Sequence, residues 1–216
     1  MASGTALVTG ASAGLGALFA KELAKHGCDL IVTARRADRL EELATELRAA
    51  HGVKVETIAA DLAVPGAAGE LIAEISRRGL AVNILINNAG FGASGPLAEA
   101  DAARTAGMIE LNCRALVELC HAVLPGMIQM RSGAILNVAS TAAFQPGPGM
   151  AVYYATKAFV LSFSEAIHEE VRHQGVRVTA LCPGPTATEF FDAAGTSEDF
   201  ALKKLAAIPG KWSATG

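Results

Sequence analysis

Short apolar segments alternate with longer helix-like segments along the chain, and this alternation limits the possible folds more than any other feature. The apolar segments lack polar–apolar alternation, which is typical of parallel strands covered on both faces. Repeated strand–helix units of this kind form a doubly wound α/β architecture, with ligands at the carboxyl ends of the strands. We therefore predict one α/β domain over residues 1–216 with a doubly wound parallel sheet. Its six strands are Thr5–Val8, Leu30–Thr33, Val53–Ala59, Ile84–Ile86, Ala134–Val138 and Val176–Leu181, with helices near 15–26, 39–50, 67–78, 101–129 and 151–173.

Composition narrows the class of protein further. A length of 216 residues suits one domain, and 51% hydrophobic residues supply an ample core. The net charge of −3 gives no electrostatic reason to expect nucleic acid or an anionic membrane as partner. The first strand begins by Thr5, and no apolar run reaches the length of a membrane-spanning helix. We expect a soluble cytoplasmic protein.

The four cysteines, Cys28, Cys113, Cys120 and Cys182, are scattered, with no CxxC pair and no nearby pair of histidines. This pattern favours free thiols over disulfides or a zinc site. We predict no metal site.

A glycine-rich segment follows the first strand. Gly10, Gly14 and Gly16 have a G-x3-G-x-G spacing between that strand and a predicted helix. Glycine permits a tight strand-to-helix turn and the close approach of a pyrophosphate to backbone N–H groups. A turn without a ligand is the alternative, but the strand–turn–helix context favours dinucleotide binding.

Tyr153 and Lys157 lie four residues apart, thirteen residues after Ser140. Positions i and i+4 share one face of a helix, so the phenol and the ammonium group would be neighbours. A free tyrosine has a pKa of about 10, and a nearby cation favours the phenolate. The pair alone is a weak pattern, because Tyr and Lys are common on helix surfaces.

Taken together, the motifs resemble the short-chain dehydrogenases/reductases, in the ordinary single-domain branch of that family. They occur in its order and spacing over about 175 residues: Thr9-Gly10-x3-Gly14-x-Gly16, Asn87-Asn88-Ala89-Gly90, Asn112, Ser140, Tyr153-x3-Lys157 and Pro183-Gly184. The resemblance implies a Rossmann-type sheet. It also implies an NAD(P)-dependent enzyme that transfers a hydride between the nicotinamide and a carbonyl compound or secondary alcohol.

The resemblance assigns catalytic roles to four residues. Tyr153 would protonate the carbonyl oxygen, and Lys157 would bind the nicotinamide ribose and lower the pKa of Tyr153. Ser140 would orient the same oxygen. Asn112 would hold a water that connects Lys157 to solvent; the alternative for Asn112 is a helix-surface amide. Tyr154 has the wrong offset from Lys157 and is expected to be a packing residue.

The resemblance also implies a set of cofactor-binding positions. They are Gly10, Ser12, Gly14, Leu15, Gly16, Arg35, Arg36, Asp61, Leu62, Asn88, Ala89, Gly90, Tyr153, Lys157, Pro183, Gly184, Thr186 and Thr188. A helix N-cap role is equally plausible for Asp61, and a purely loop role is the alternative for Thr188. For Asn87 we expect a structural role as well, because a buried amide needs partners.

The second strand indicates which cofactor is preferred. NAD-binding sheets place an acidic residue at its end to hold the ribose 2′-hydroxyl, whereas this chain has Arg35 and Arg36 there. Guanidinium groups suit a 2′-phosphate, so NADP(H) is favoured over NAD(H), with Arg35 the stronger candidate. Solvated loop charges are the alternative. Asp38 is expected to cap the next helix together with Glu41.

The substrate is less constrained. Loops that line the pocket in this family carry apolar side chains here, which favours an apolar carbonyl compound: Phe91, Phe144, Met150, Phe190 and Phe191. Each of these is also an ordinary core residue. Residues 185–216 would form only part of the substrate loop, and we expect the family's seventh, edge strand to be missing.

Two alternatives to an enzyme stay open: a dinucleotide-binding sensor and a catalytically impaired, truncated homologue. Retention of all four catalytic residues argues against the sensor, because a pure binder has no need of them, whereas the missing C-terminal segment argues slightly for it. Family members dimerise through the helices near 101–129 and 151–173, so we expect a homodimer, with a tetramer less secure without the seventh strand.

Overall fold

The computed structural model describes residues 4–184, which form a parallel sheet of six strands with helices on both faces. The strands are β1 Thr5–Thr9, β2 Asp29–Ala34, β3 Val55–Ala59, β4 Ile84–Asn87, β5 Gly133–Val138 and β6 Val176–Leu181. The helices are α1 Gly14–Lys25, α2 Ala37–His51, α3 Ala67–Arg77, α4 Ala102–Ile109, α5 Leu116–Gln129 and α6 Ala151–Val171. The predicted fold class is confirmed. The predicted partial substrate loop, residues 185–216, lies outside the described residues.

The strand order is β3-β2-β1-β4-β5-β6, and every neighbouring pair is parallel. The chain builds outward from β1 through β2 to β3 and then crosses back to place β4 on the other side of β1. Between β1 and β4, where Val8 pairs with Ile86, the two halves of the sheet diverge. Ligands bind at such a switch point, beyond the carboxyl ends of the strands.

Each face of the sheet has its own apolar core. Side chains alternate along β1, so that Leu7 points into one core while Ala6 and Val8 point into the other. The core that contains Leu7 packs against α3, α5 and α6, and the other packs against α1 and α2. Burial on both faces explains why the strand segments are continuously apolar.

The predicted helix 101–129 is interrupted. A π-helical turn, Glu110–Ala115, separates α4 from α5. By length and composition the whole stretch Ala102–Gln129 could cross a membrane. However, Leu119, Cys120 and Met127 are buried in the core that packs on the sheet. We therefore interpret it as a core element.

The predicted start of α2 is wrong. Arg36 occupies the N-cap position, and Asp38 lies inside the first turn, where a carboxylate still interacts favourably with the positive end of the helix. Glu41 does not complete a capping box: its carboxylate accepts hydrogen bonds from Arg48 at 2.7 Å and from Thr57 at 3.1 Å. A partner further along α2 and one on β3 therefore determine where this side chain goes.

Candidate active site

The glycine-rich turn joins β1 to α1 in a conformation that only glycine tolerates well. Gly10 has φ = +66° and Gly14 has φ = +54°. Gly16 lies so close to the turn that a Cβ atom there would lie 2.3 Å from the Gly10 carbonyl oxygen. The turn thus packs backbone against backbone at the N-terminus of α1, as an anion-binding turn requires.

The loop after β4 holds the glycine turn in place. The amide of Asn88 donates to the carbonyl of Thr9 at 2.9 Å and, more weakly, to that of Gly10 at 3.3 Å. In return, the Thr9 hydroxyl accepts from the backbone N–H groups of Asn88 at 3.0 Å and Ala89 at 2.9 Å. The structure therefore brings the two predicted cofactor motifs together at the switch point, with Thr9 as a link that the sequence did not reveal.

At the end of β2, the Arg36 guanidinium group reaches back to the glycine turn. Its Nη2 and Nε atoms lie 3.2 and 3.4 Å from Ser12 Oγ, and both residues retain access to solvent. Arg35 is exposed beside it. A positively charged surface therefore lies next to the turn. The contact identifies Arg36, ranked second from the sequence, as the arginine that touches the glycine motif.

Asp61 and Leu62 follow β3. Leu62 is buried in the core that packs on α3. The Asp61 carboxylate accepts from the Ala63 N–H at 3.1 Å, within a turn. It does not cap α3, whose N-cap residue is Gly66. The helix-cap alternative for Asp61 is wrong.

The predicted catalytic side chains converge at the carboxyl end of β5. Tyr153 and Lys157 share the buried face of α6, and the Lys157 Nζ atom lies 5.8 Å from the centroid of the tyrosine ring. Lys157 donates to the carbonyl of Val138 at 2.7 Å. Ser140, two residues beyond Val138, accepts from the Ala142 N–H at 3.1 Å through its hydroxyl.

Burial dominates the protonation of this group of side chains. It raises the pKa of Tyr153 to about 12, although a hydrogen bond with the Ser140 side chain opposes the shift. Burial likewise lowers the pKa of Lys157 to about 8. The expected lowering of the Tyr153 pKa by Lys157 is not found: the pKa moves upward, because desolvation of the phenolate is the largest effect.

Asn112 lies in the π-helical turn and is 2% exposed, so the helix-surface alternative is wrong. Its amide oxygen accepts from the Phe91 N–H at 3.1 Å, and its amide nitrogen donates to the Phe91 carbonyl at 3.0 Å. The same nitrogen also donates to Thr156 Oγ1 at 3.1 Å. Protein groups therefore engage the whole amide, and π-helical turns are frequent at functional sites.

A buried polar network behind the site was only partly predicted. Asn87 donates to Asn137 at 2.9 Å, and Asn137 donates in turn to Ser164 at 2.9 Å. The structural role expected for Asn87 is confirmed. Asn137 and Ser164 were missed, although an asparagine inside the otherwise apolar strand Ala134–Val138 was a signal that a buried partner existed.

Apolar side chains surround the phenol. Tyr153, Met108 and Ala142 form a buried cluster against which Phe91 and Met150 pack. The ring of Tyr154 stands edge-on to that of Tyr153 and fills the space beside Gly147, which confirms its expected packing role.

The loops around this cluster are linked by backbone hydrogen bonds, from Gly95 to Gly149 at 2.8 Å and from Thr141 to Pro183 at 3.0 Å. Gly184 is exposed at the end of the described chain. Phe144 is 58% exposed at the edge of the site. The predicted positions Thr186, Thr188, Phe190 and Phe191 lie outside the described residues. Within residues 4–184 no three metal-ligating side chains cluster, and none of the four cysteines forms a disulfide.

Comparison with known proteins identifies the family. The model of the short chain dehydrogenase family matches residues 4–199. The chain is 41% identical to sulfoacetaldehyde reductase 2 of Chromohalobacter salexigens over 85% of its length and 73% of that protein's. It is 35% identical to the human very-long-chain 3-oxoacyl-CoA reductase over 85% of its length, but spans only 60% of that enzyme. The chain belongs to the short-chain dehydrogenase family.

Solved structures agree with this assignment. A short-chain dehydrogenase from Sphingobium yanoikuyae in complex with NADPH superposes with a TM-score of 0.85 at 38% identity, covering 96% of this chain and 78% of that one. A bulky-bulky ketone specific alcohol dehydrogenase from Comamonas testosteroni gives a TM-score of 0.81 at 32% identity, covering 98% and 97%. The shared fold is therefore that of an oxidoreductase family.

Proposed function

We propose that this protein is an NADP(H)-dependent oxidoreductase that transfers a hydride between the nicotinamide and an apolar carbonyl compound or secondary alcohol. One observation carries the proposal: Ser140, Tyr153 and Lys157 lie together at the carboxyl ends of the strands, where the glycine turn also lies. The turn fits a dinucleotide, because its glycines let the chain turn tightly from β1 into α1 and place the N-terminus of α1 at the carboxyl end of the sheet.

When bound, the reduced nicotinamide supplies the hydride to the carbonyl carbon. Tyr153 donates its phenolic proton to the carbonyl oxygen, and Ser140 donates a hydrogen bond that orients that oxygen. A Tyr153 pKa of about 12 keeps the phenol protonated at neutral pH, as an acid in the reduction must be. Lys157 would hold the ribose hydroxyls of the cofactor. The apolar cluster around Tyr153 excludes water from the reacting atoms.

The preference for NADP(H) rests on the charges at the end of β2. Arg36 spans from there to Ser12 in the glycine turn, and Arg35 lies exposed beside it. Two guanidinium groups match the charge of a 2′-phosphate dianion, whereas a neutral 2′-hydroxyl offers them no opposite charge. Two structural relatives, the S. yanoikuyae enzyme and an L-sorbose reductase, are described as complexes with NADPH.

For the substrate, we favour an aliphatic or aromatic ketone. Phe91 and Met150 pack around the reacting phenol, and Phe144 presents an exposed ring at the end of the short helical turn that Ser140 caps. The names of the relatives range from a sulfoacetaldehyde reductase to a bulky-bulky ketone specific dehydrogenase. The apolar walls of this site suit a bulky ketone better than the charged sulfoacetaldehyde.

The proposal includes a cytoplasmic homodimer formed through α4 and α6. Ile109 and Phe159 are 49% and 42% exposed, and the ring of Phe159 stacks on that of Phe163. A groove of about 400 Å³ between these helices has almost purely apolar walls, including Cys113 and Ala155. Such surfaces mark interfaces. A monomer at micromolar concentration in light scattering would contradict the dimer; a tetramer is not required by these surfaces.

Calorimetric titration with NADPH and NADH tests the cofactor assignment. We expect clear preference for NADPH, weakened by Arg36→Asp and Arg35→Asp and unchanged by Arg39→Asp, an exposed arginine one turn further along α2. Equal binding of both cofactors would contradict the role of the arginines. Binding of neither would contradict the dinucleotide site altogether.

Turnover with a panel of ketones then separates an enzyme from a sensor. We expect NADPH consumption with at least one apolar ketone, and Tyr153→Phe should lower kcat by about 10²- to 10⁴-fold while NADPH affinity stays within about threefold. NADPH binding without turnover of any ketone would favour the dinucleotide sensor or the impaired homologue. Retained turnover in Tyr153→Phe would show that the proton comes from another group.

A further inference from the structure

Thr156 lies on α6 between Tyr153 and Lys157, and no motif in the sequence assigns it a role. Its side chain is 3% exposed. Its hydroxyl donates to the Tyr153 carbonyl oxygen at 2.7 Å. Because a threonine hydroxyl has a single proton, this bond leaves Oγ1 with acceptor capacity alone. Any further polar neighbour of Thr156 must therefore be a donor.

That neighbour is the side-chain amide of Asn112. One N–H of Nδ2 points to Thr156 Oγ1 at 3.1 Å, the other to the Phe91 carbonyl at 3.0 Å, and Oδ1 accepts from the Phe91 N–H at 3.1 Å. With the amide reversed, Oδ1 would face two acceptors and Nδ2 would face a donor. The Thr156 hydroxyl therefore favours the one orientation in which Asn112 binds both backbone groups of Phe91.

Phe91 lies in the loop that follows β4, next to the reacting groups. At the preceding residue, Gly90, a Cβ atom would lie 3.1 Å from Asn112 Oδ1 and 3.6 Å from Lys157 Nζ. Phe91 itself packs against the cluster that contains Tyr153. A displaced Asn112 amide would therefore shift this loop relative to both Tyr153 and Lys157.

We propose that Thr156 is a positioning residue. Its hydroxyl fixes the Asn112 amide, and through it holds the Gly90–Phe91 loop against the face of α6 that carries Tyr153 and Lys157. The consequence for kinetics rests on the proposed function, whereas the positioning of the loop does not. The Thr156 hydroxyl thus links α6 to Asn112 in the π-helical turn, and Asn112 links both to the loop after β4.

Three variants test the proposal. Thr156→Val keeps the branched shape and removes the hydroxyl, and Thr156→Ser keeps the hydroxyl. Ser164→Ala is the matched control, because Ser164 is buried on the same helix and donates to the carbonyl of Val160, but it contacts Asn137 behind the site. We expect Thr156→Val to lower kcat by about tenfold to a hundredfold with the KM for NADPH within about threefold, because a buried donor of Asn112 loses its acceptor. Thr156→Ser should keep kcat near its native value.

Amide hydrogen exchange supplies a measurement that does not depend on activity. The Phe91 N–H is bonded to Asn112, so Thr156→Val should speed its exchange by about tenfold relative to the core amides of β1, whereas Thr156→Ser and Ser164→Ala should not change this ratio. Native exchange and native kcat in Thr156→Val would overturn the proposal, as would an equal acceleration at Phe91 in Ser164→Ala. If Thr156→Val does not fold, Thr156→Ala is measured in its place with the same outcomes. If the native protein reduces no ketone, the proposed function fails, and exchange at Phe91 still decides the role of Thr156.

Discussion

The two halves of the sheet hold their ligand-facing groups in different ways. In the half built from β1, β2 and β3, the buried polar side chains are Thr9 and Thr33, and the core is otherwise aliphatic. The half built from β4, β5, β6 and their helices buries many more: Asn87, Asn112, Asn137, Thr156, Lys157 and Ser164. At the carboxyl ends of its strands, the first half presents mainly backbone groups. The second half presents side chains that a buried polar network supports.

The proposed function accounts for this difference between the two halves. Phosphate groups can be bound by backbone N–H groups, so the first half needs a glycine turn and little else. Proton transfer requires side chains at fixed positions in a site from which water is excluded, where each unpaired polar group is costly. The second half therefore pairs most of its buried polar groups with one another, as the bonds from Asn87 through Asn137 to Ser164 show, and Asn87 Oδ1 is the exception among the described residues.

The largest effect is expected where backbone meets backbone in the first half. An added Cβ atom in Gly16→Ala would lie 2.3 Å from the Gly10 carbonyl oxygen and 2.6 Å from the Asn88 amide nitrogen. Because backbone cannot yield as a flexible side chain can, we expect a loss of about 3 kcal/mol in the free energy of unfolding. NADPH affinity should fall by more than about tenfold. Urea unfolding and calorimetry measure the two effects.

The matched control is Gly69→Ala in α3, where an added Cβ atom meets nothing within 4 Å. It should stabilise the chain by about 0.5–1 kcal/mol, because alanine favours the helix. If Gly16→Ala unfolds at the same urea concentration as this control, the close approach in the turn is not essential. The proposed difference between the two halves would then lose its basis.

The same difference explains what the sequence revealed. The glycine turn is local, and its chemistry is visible in the spacing of Gly10, Gly14 and Gly16, so the first half could be predicted from its residues. The six strands were also predicted, since buried parallel strands are continuously apolar. In the second half, family spacing in the sequence located Ser140, Tyr153 and Lys157.

The parts of the site that could not be predicted depend on contacts between residues distant in sequence. Thr156 meets Asn112 across 44 positions, and Asn87 meets Asn137 across 50. No spacing rule connects such pairs. The π-helical turn at Asn112 was missed because a helical periodicity over 101–129 does not show an inserted residue. The capping box at Asp38 was wrong because α2 begins before Asp38 and Glu41 bonds to Arg48 on the same helix and to Thr57 on β3.

A buried charge in the second half provides the next test. Burial lowers the pKa of Lys157 from 10.5 to about 8. Between those values the unfolded chain binds more protons than the folded one, so the contribution of Lys157 to stability rises with pH. Below pH 8 both states are protonated and the cost of burying the charge is present in full. We expect Lys157→Met to raise the free energy of unfolding at neutral pH by about 2 kcal/mol, despite the lost bond to Val138.

Urea unfolding at several values between about pH 7 and pH 10 measures this effect. The native chain should gain stability relative to Lys157→Met as the pH rises through this window. Lys21→Met, which removes a surface ion pair with Glu46, should change stability by less than about 1 kcal/mol at every pH. A Lys157→Met variant that is less stable than the native chain at neutral pH would show that the ammonium group stabilises the second half.

The smallest expected effect is on the free energy of unfolding when one buried hydroxyl is removed from each half. Thr33 is fully buried in β2, and its Oγ1 has no hydrogen-bond partner among the described residues, whereas Ser164 accepts from Asn137 and donates to Val160. Thr33→Val should stabilise the protein by up to about 1 kcal/mol, because it removes an unsatisfied polar atom and suits a strand. Ser164→Ala should destabilise it by about 1–2 kcal/mol, because the Asn137 donor is left buried without its acceptor. Thermal and urea unfolding of the two variants give the comparison directly. Opposite signs would support two separately organised halves, and a cost of equal size at both positions would mean that the Thr33 hydroxyl is held by a partner as the Ser164 hydroxyl is.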